Sequence, residues 1–103
     1  MRIISASNLR EYWKHEPFSK KPLMVWLSDV ESAQWKTPID VKNYSSTASI
    51  LQQGRVVFNI AGNKFRLVVH IAYQIQRVYI KFIGTHEEYD QIDAQTVQMK
   101  VRR

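Results

Sequence analysis

The sequence predicts an α+β fold, with two N-terminal helices packed on a twisted antiparallel β-sheet of three to four strands. Three observations lead there. Leu23, Trp26, Leu27, Val30 and Ala33 recur at three- and four-residue steps, the stripe of an amphipathic helix. From Arg55 onward, three segments dense in Val, Ile, Phe and Tyr follow one another across short gaps, as in a chain of hairpins. The chain has 103 residues, 45% of them hydrophobic, which fits one small domain spanning residues 1–103 and leaves no room for a second core.

Taken in order, Arg2–Ser5 is a candidate opening strand. Ser7 is placed to cap a helix running to about His15, with Leu9, Tyr12 and Trp13 on one face. Pro17 breaks that pattern. Ser19 is placed to cap a second helix, with Pro22 tolerated in its first turn. The helix should end near Trp35, because Pro38 disfavours helical geometry at Thr37. Residues 37–54, rich in Ser, Thr and Asn, read as irregular, with short turns at Pro38–Val41 and Ala48–Gln52.

The expected strands are Arg55–Ile60, Lys64–Tyr73 and Arg77–Ile83, with turns at Ala61-Gly62-Asn63 and Gln74-Ile75-Gln76. Strict alternation sends Val56, Phe58, Ile60, Phe65, Leu67, Val69, Ile71, Tyr73, Val78, Ile80 and Phe82 to an apolar face that receives the helical stripe. The opposite face then carries Arg55, Lys64, Arg66, His70, Arg77, Tyr79, Lys81 and Ile83.

The charge balance sharpens the meaning of that second face. Fifteen Lys and Arg against nine Asp and Glu give a net charge of +6, and the three strands contain no acidic residue. Cations on an open sheet often serve only solvation. Five of them without a counter-ion repel one another, which favours an anionic ligand, and an RNA or DNA backbone is the obvious one. Arg55, Lys64, His70 and Arg77 are therefore candidate RNA-binding residues. The absence of cysteine excludes disulfides, zinc–thiolate sites, iron–sulfur clusters and thiol catalysis. No pair of histidines has metal-ligand spacing, so neither metal nor other cofactor is expected. The longest apolar run, Leu23–Leu27, is far too short to cross a bilayer, and the expectation is a cytoplasmic protein with no membrane partner.

One segment carries groups suited to chemistry. In Gly84-Thr85-His86-Glu87-Glu88-Tyr89-Asp90, Thr85 and Glu88 have capping-box spacing, so a helical turn should start at Thr85. His86, Tyr89 and Asp90 then share one side of that turn. On spacing alone this is a helix start with a surface histidine and a core tyrosine. Beside a cationic face it gains a second reading. Metal-free RNA cleavage needs a group that deprotonates the ribose 2′-hydroxyl, cations for the charged phosphorane, and a donor for the 5′-oxygen. His86 can act as base or acid. Arg66 and Lys81 are natural phosphate clamps. Tyr89 suits base stacking or phosphate positioning, and Asp90 can orient His86.

The stretch Val57-Phe58-Asn59-Ile60-Ala61-Gly62-Asn63-Lys64-Phe65-Arg66-Leu67-Val68, with the I-G-T-H-x-x-Y-D core ending at Asp90, resembles the HigB family of toxins, within the RelE-like mRNA interferases. The resemblance is specific from about Val57 to Ala94. It carries the family motif onto Asn59, Gly62, Asn63, Lys64, Arg66, Gly84, Thr85, His86, Tyr89 and Asp90. Ala61 stands where many relatives have glycine, and Phe65 where many have tyrosine. The resemblance implies a RelE-like fold and a metal-independent endoribonuclease that cleaves mRNA on translating ribosomes. It also implies neutralisation by a HigA-type helix-turn-helix antitoxin. A non-catalytic RNA- or ribosome-binding module using the same face is the alternative, and a structural protein attracting an acidic partner is a third.

Overall fold

The computed structural model describes residues 1–99. Its centre is a five-stranded sheet in the order β1-β5-β4-β3-β2, built from β1 (Arg2–Ile4), β2 (Ser49–Ile50), β3 (Arg55–Ile60), β4 (Phe65–Ala72) and β5 (Arg77–Thr85). Three strands thus lie close to the expected limits, and the helical half packs on one face of them. Two expectations change. The sheet is mixed, because β1 runs parallel to β5 with Ile3 opposite Val78. It also gains β2, a two-residue edge that pairs antiparallel with β3.

The helices are α1 (Ala6–His15), α2 (Lys20–Ser32), α3 (Pro38–Tyr44) and α4 (His86–Tyr89). The α1 cap falls at Ser5, in the left-handed region at φ 70°, and not at Ser7. Helix α2 stops at Ser32, short of Trp35, where Ala33 turns extended. The Met1 amino group donates there to the carbonyls of Val30, Glu31 and Ala33, which occupies the end of the helix. Helix α3 replaces the irregular segment expected at residues 38–44. Its start is written in Thr37-Pro38-Ile39-Asp40: proline fits the first helical position, and Asp40 Oδ2 accepts from the N–H groups of Lys36 and Thr37.

The helical stripe meets the sheet as its spacing requires. Leu23, Trp26, Leu27 and Val30 are buried against Val56, Phe58, Leu67, Val69, Ile71 and Val78. Phe58 is the hub of the aromatic part, with the rings of Trp26, Trp35 and Tyr44 centred 5.6, 6.0 and 6.2 Å away.

The alternation of β5 does not run unbroken. Val68 pairs with Phe82 but Val69 pairs with Ile80, so Lys81 is an extra residue in a β-bulge. Beyond it the faces exchange. Ile83 is buried in the core, opposite Leu67, and Phe82 turns to the second face, where it had been expected in the core. The bulge therefore sets the phase in which the chain reaches Gly84, Thr85 and His86. Gly84 lets the Phe82 ring lie close over the backbone: a Cβ there would come within 2.6 Å of the ring's tip, which would have to shift.

The second face is not an open cationic surface throughout. The chain beyond α4 returns along it, exchanging hydrogen bonds between Gln95 and Gln52 and pairing Gln98 with Lys81. Val57 and Val68 on this face are buried.

Candidate active site

The site forms where the β3–β4 turn meets the end of β5. Ala61 and Gly62 both adopt left-handed geometry, at φ 55° and 66°, which turns the chain so that Asn63 and Lys64 reach the start of β4. The Lys64 carbonyl accepts from the His86 N–H at 3.0 Å, tying the first residue of α4 to that turn. The capping box forms at Thr85: its hydroxyl accepts from the Glu88 N–H, and Glu88 Oε1 accepts from the Thr85 N–H. The α4 backbone is thus held at both ends of a single turn.

On this frame the three expected side chains come together. His86 Nδ1 lies 3.2 Å from Asp90 Oδ2, and both side chains are about half exposed. A proton on Nδ1 shared with Asp90 leaves Nε2 as the nitrogen available for proton transfer. The Arg66 guanidinium sits 6.0 Å from the centre of the Tyr89 ring. Arg66 is further held by the turn, donating to the Asn63 and Phe65 carbonyls and to Asn63 Oδ1. A histidine with an orienting carboxylate and a positioned guanidinium therefore share one end of the sheet. That set can move a proton and stabilise negative charge on a phosphate.

His86 also lines a cleft of about 390 Å³ between this end of the sheet and the α1–α2 connection. Its other walls are Glu16, Phe18, Asn63, Lys64, Phe65, Thr85 and Glu87. Below the cleft, Tyr12 packs edge-on against Phe65 at 6.1 Å. Burial, reinforced by the carboxylates of Glu88 and Glu16, holds its phenol protonated well above the ordinary range.

The remaining expected residues lie apart from this cluster. Lys81, at the bulge, bonds Gln98 Oε1 and sits 5.8 Å from the Tyr79 ring, roughly 13 Å back along the strand from Thr85. His70 faces Tyr79 with ring centres 5.9 Å apart. Arg77 is exposed at the far end of the sheet, opposite Ala72 and six residues along β4 from Arg66, roughly 20 Å. Arg55 is buried, its guanidinium spent on the carbonyls of Ala94 and Val97. Of the five cations assigned to one face, only Lys64 and Arg66 lie at the end of the sheet where α4 begins: Lys64 lines the cleft with His86, and Arg66 pairs opposite Gly84 near the Tyr89 ring.

Two further residues line or brace this end of the sheet. Asn63 was read only as a turn residue in the family motif, and its carbonyl and amide oxygens position Arg66. Phe18, on the cleft wall, belongs to no periodic pattern, and its position directly after Pro17 is the one signal the sequence offers for it.

Residues 19–92 match the family described as HigB_toxin, RelE-like toxic component of a toxin-antitoxin system. The chain belongs to the HigB toxin family. The matched span contains every residue of the His86 cluster and ends just after Asp90. Among curated relatives, it is 26% identical over 92 residues to the mRNA interferase toxin HigB of Escherichia coli K12, covering 87% of this chain and 88% of the relative. The mRNA interferases HigB of Escherichia coli O157:H7 and Shigella flexneri match to the same extent. As a HigB-family toxin it has an antitoxin for a partner. No helix among the described residues is long and apolar enough to cross a membrane.

Proposed function

We propose that this HigB-family toxin is an endoribonuclease that cleaves mRNA on translating ribosomes in the cytoplasm, and that a HigA-type antitoxin neutralises it. The observation that carries the reading is the His86–Asp90 pair on the same helical turn as Tyr89, over whose ring Arg66 sits, all within the family-matched span. In this reaction His86 Nε2 takes the proton of a ribose 2′-hydroxyl, with Asp90 stabilising the imidazolium through Nδ1. The 2′-oxygen attacks the adjacent phosphorus, and Arg66 compensates the charge that builds on the non-bridging oxygens. The P–O5′ bond breaks, the leaving 5′-oxygen takes a proton from water at the open side of the site, and the hydroxide so formed collects the proton held by His86. The products are a 2′,3′-cyclic phosphate and a 5′-hydroxyl end.

Arg66 is suited to the charge-stabilising role because its position is set before substrate arrives, by Asn63 on one side and Tyr89 on the other. Lys64 adds a cation on the cleft side of His86.

The test is induced expression with and without a co-expressed antitoxin, read by mapping RNA 5′ ends. The reading expects growth arrest with new 5′-hydroxyl ends inside translated frames, suppressed by the antitoxin. Toxin purified through EDTA and then freed of the chelator should cleave mRNA on translating ribosomes with no metal added beyond the magnesium the ribosome itself requires. Binding to ribosomes or RNA with no new ends would make it a non-catalytic binding module.

A further inference from the structure

Phe18 is the most exposed large apolar side chain among the described residues, at 78%. Scattered exposed apolar residues are ordinary on a protein surface. This one differs in how it is held and in what it faces. Pro17–Ser19 forms a tight 3₁₀ turn; Pro17 fixes the backbone angle before Phe18, and Ser19 behind it is fully buried. The Ser19 hydroxyl and N–H both bond the Glu16 carbonyl, at 2.6 and 2.9 Å. A rigid, anchored turn therefore projects an aromatic ring into solvent.

The ring stands on the rim of the cleft that His86 lines. Lys64 Nζ lies 5.4 Å from its centre, a weak contact at an exposed site and readily exchanged for another partner. Glu16, in the same connection as Phe18, and Glu87, on α4, add carboxylates to the wall. Those carboxylates oppose a phosphate at this spot but can accept from the N–H groups of a base edge. An open aromatic face, a cation able to follow the backbone and acceptors for amino groups together fit an unpaired nucleobase.

We propose that Phe18 is a stacking platform, seating one unpaired RNA base next to the phosphate that His86 and Arg66 engage. The inference rests on the mRNA-cleaving reading and names a subsite within it. It assigns substrate positioning to the α1–α2 connection, outside the motif at the end of β5. A base stacked on Phe18 leaves Lys64 free to pair with a neighbouring phosphate.

The experiment uses the full-length protein and a short single-stranded RNA, 2′-deoxy throughout its central segment and carrying 2-aminopurine at successive positions, free and on ribosomes. Stacking on an aromatic ring quenches the probe. Wild-type protein should quench at one or two adjacent positions, and Phe18→Tyr and Phe18→Trp should preserve the effect. Phe18→Ala and Phe18→Leu should abolish it and slow mRNA cleavage about 5- to 150-fold, the span of one stacked base. Because the side chain is exposed, melting temperatures should not move. Quenching and cleavage retained by Phe18→Leu would overturn the inference, since leucine keeps apolar bulk without a π face. So would variants that cleave normally but lose antitoxin binding, which would make Phe18 a protein-docking residue. Phe18-dependent quenching without any cleavage by wild type would uphold the subsite and reject the nuclease reading; cleavage with quenching independent of Phe18 would do the reverse.

Discussion

Arg55 on β3 donates through Nη1 to the carbonyl oxygens of Ala94 and Val97, at 3.2 and 2.7 Å, and so fastens the chain beyond α4 to the second face of the sheet. The side chain is only 7% exposed. Burial pulls its guanidinium below the ordinary range, and the nearby carboxylate of Asp93 works against that shift. A cation that alternation alone would put in solvent serves as an internal clasp.

Arg55→Ala should therefore cost about 1–3 kcal/mol, the range for removing a charged hydrogen-bond partner from a buried site. Hydrogen exchange should accelerate at residues 94–97, with the β4–β5 amides still protected. An unchanged melting temperature and exchange pattern would mean that the clasp contributes nothing.

Trp26 and Phe58 meet edge-on at 5.6 Å between helix and sheet and are 3% and 1% exposed. Truncating either to Ala should cost about 3–5 kcal/mol, a large share of a small domain's stability. Chemical denaturation checks this, and a loss below about 1 kcal/mol would remove Phe58 from the centre of the packing.

Ala61 holds a left-handed conformation that glycine adopts without steric cost. Ala61→Gly should stabilise the protein by about 0.5–1 kcal/mol, the relieved strain exceeding the added freedom of the unfolded chain. Calorimetry should show a melting temperature higher by about 4 °C. A lower one would mean that the methyl group's packing outweighs the strain.

Alkaline pH should unfold the protein in a defined window. Burial is the main cause raising the phenols of Tyr12 and Tyr73, with help from Glu88 and Glu16 at the first and Asp40 at the second. A phenol raised in the folded state contributes stability that is complete below its unfolded pKa of roughly 10 and is lost as pH climbs toward the folded value. Tyr12 and Tyr73 should ionise together with unfolding above about pH 10, read by phenolate absorbance alongside circular dichroism. Their ionisation with the fold intact would contradict the burial described here.

Periodicity carried the helix stripe and strands β3 to β5, because a half-buried element shows its repeat in the order of its side chains. It could not carry the bulge at Lys81, where one inserted residue moves Phe82 and Ile83 to opposite faces without any mark in composition. Nor could it reveal the clasp at Arg55, since burial by a distant segment leaves no local trace. Helix α3 was legible through Thr37, Pro38 and Asp40 and went unread because polar residues around it resemble a loop. The His86–Asp90 pair followed directly from the spacing of four on a capped turn. The grouping of Arg66 with Tyr89, and the separation of Lys81 and Arg77 from them, depends on where strands end in space.

The central claim is that His86 moves a proton while Arg66 stabilises charge, and single-turnover cleavage of mRNA on translating ribosomes tests it most directly. His86→Gln should melt like the wild type, bind ribosomes as tightly, and cleave about 10²–10⁴-fold more slowly, the usual cost of one lost proton-transfer group. Asp90→Asn should show a smaller loss in the same step, and Arg66→Ala should lose both rate and some affinity. Wild-type cleavage by folded His86→Gln would contradict the account and move the chemistry away from this histidine.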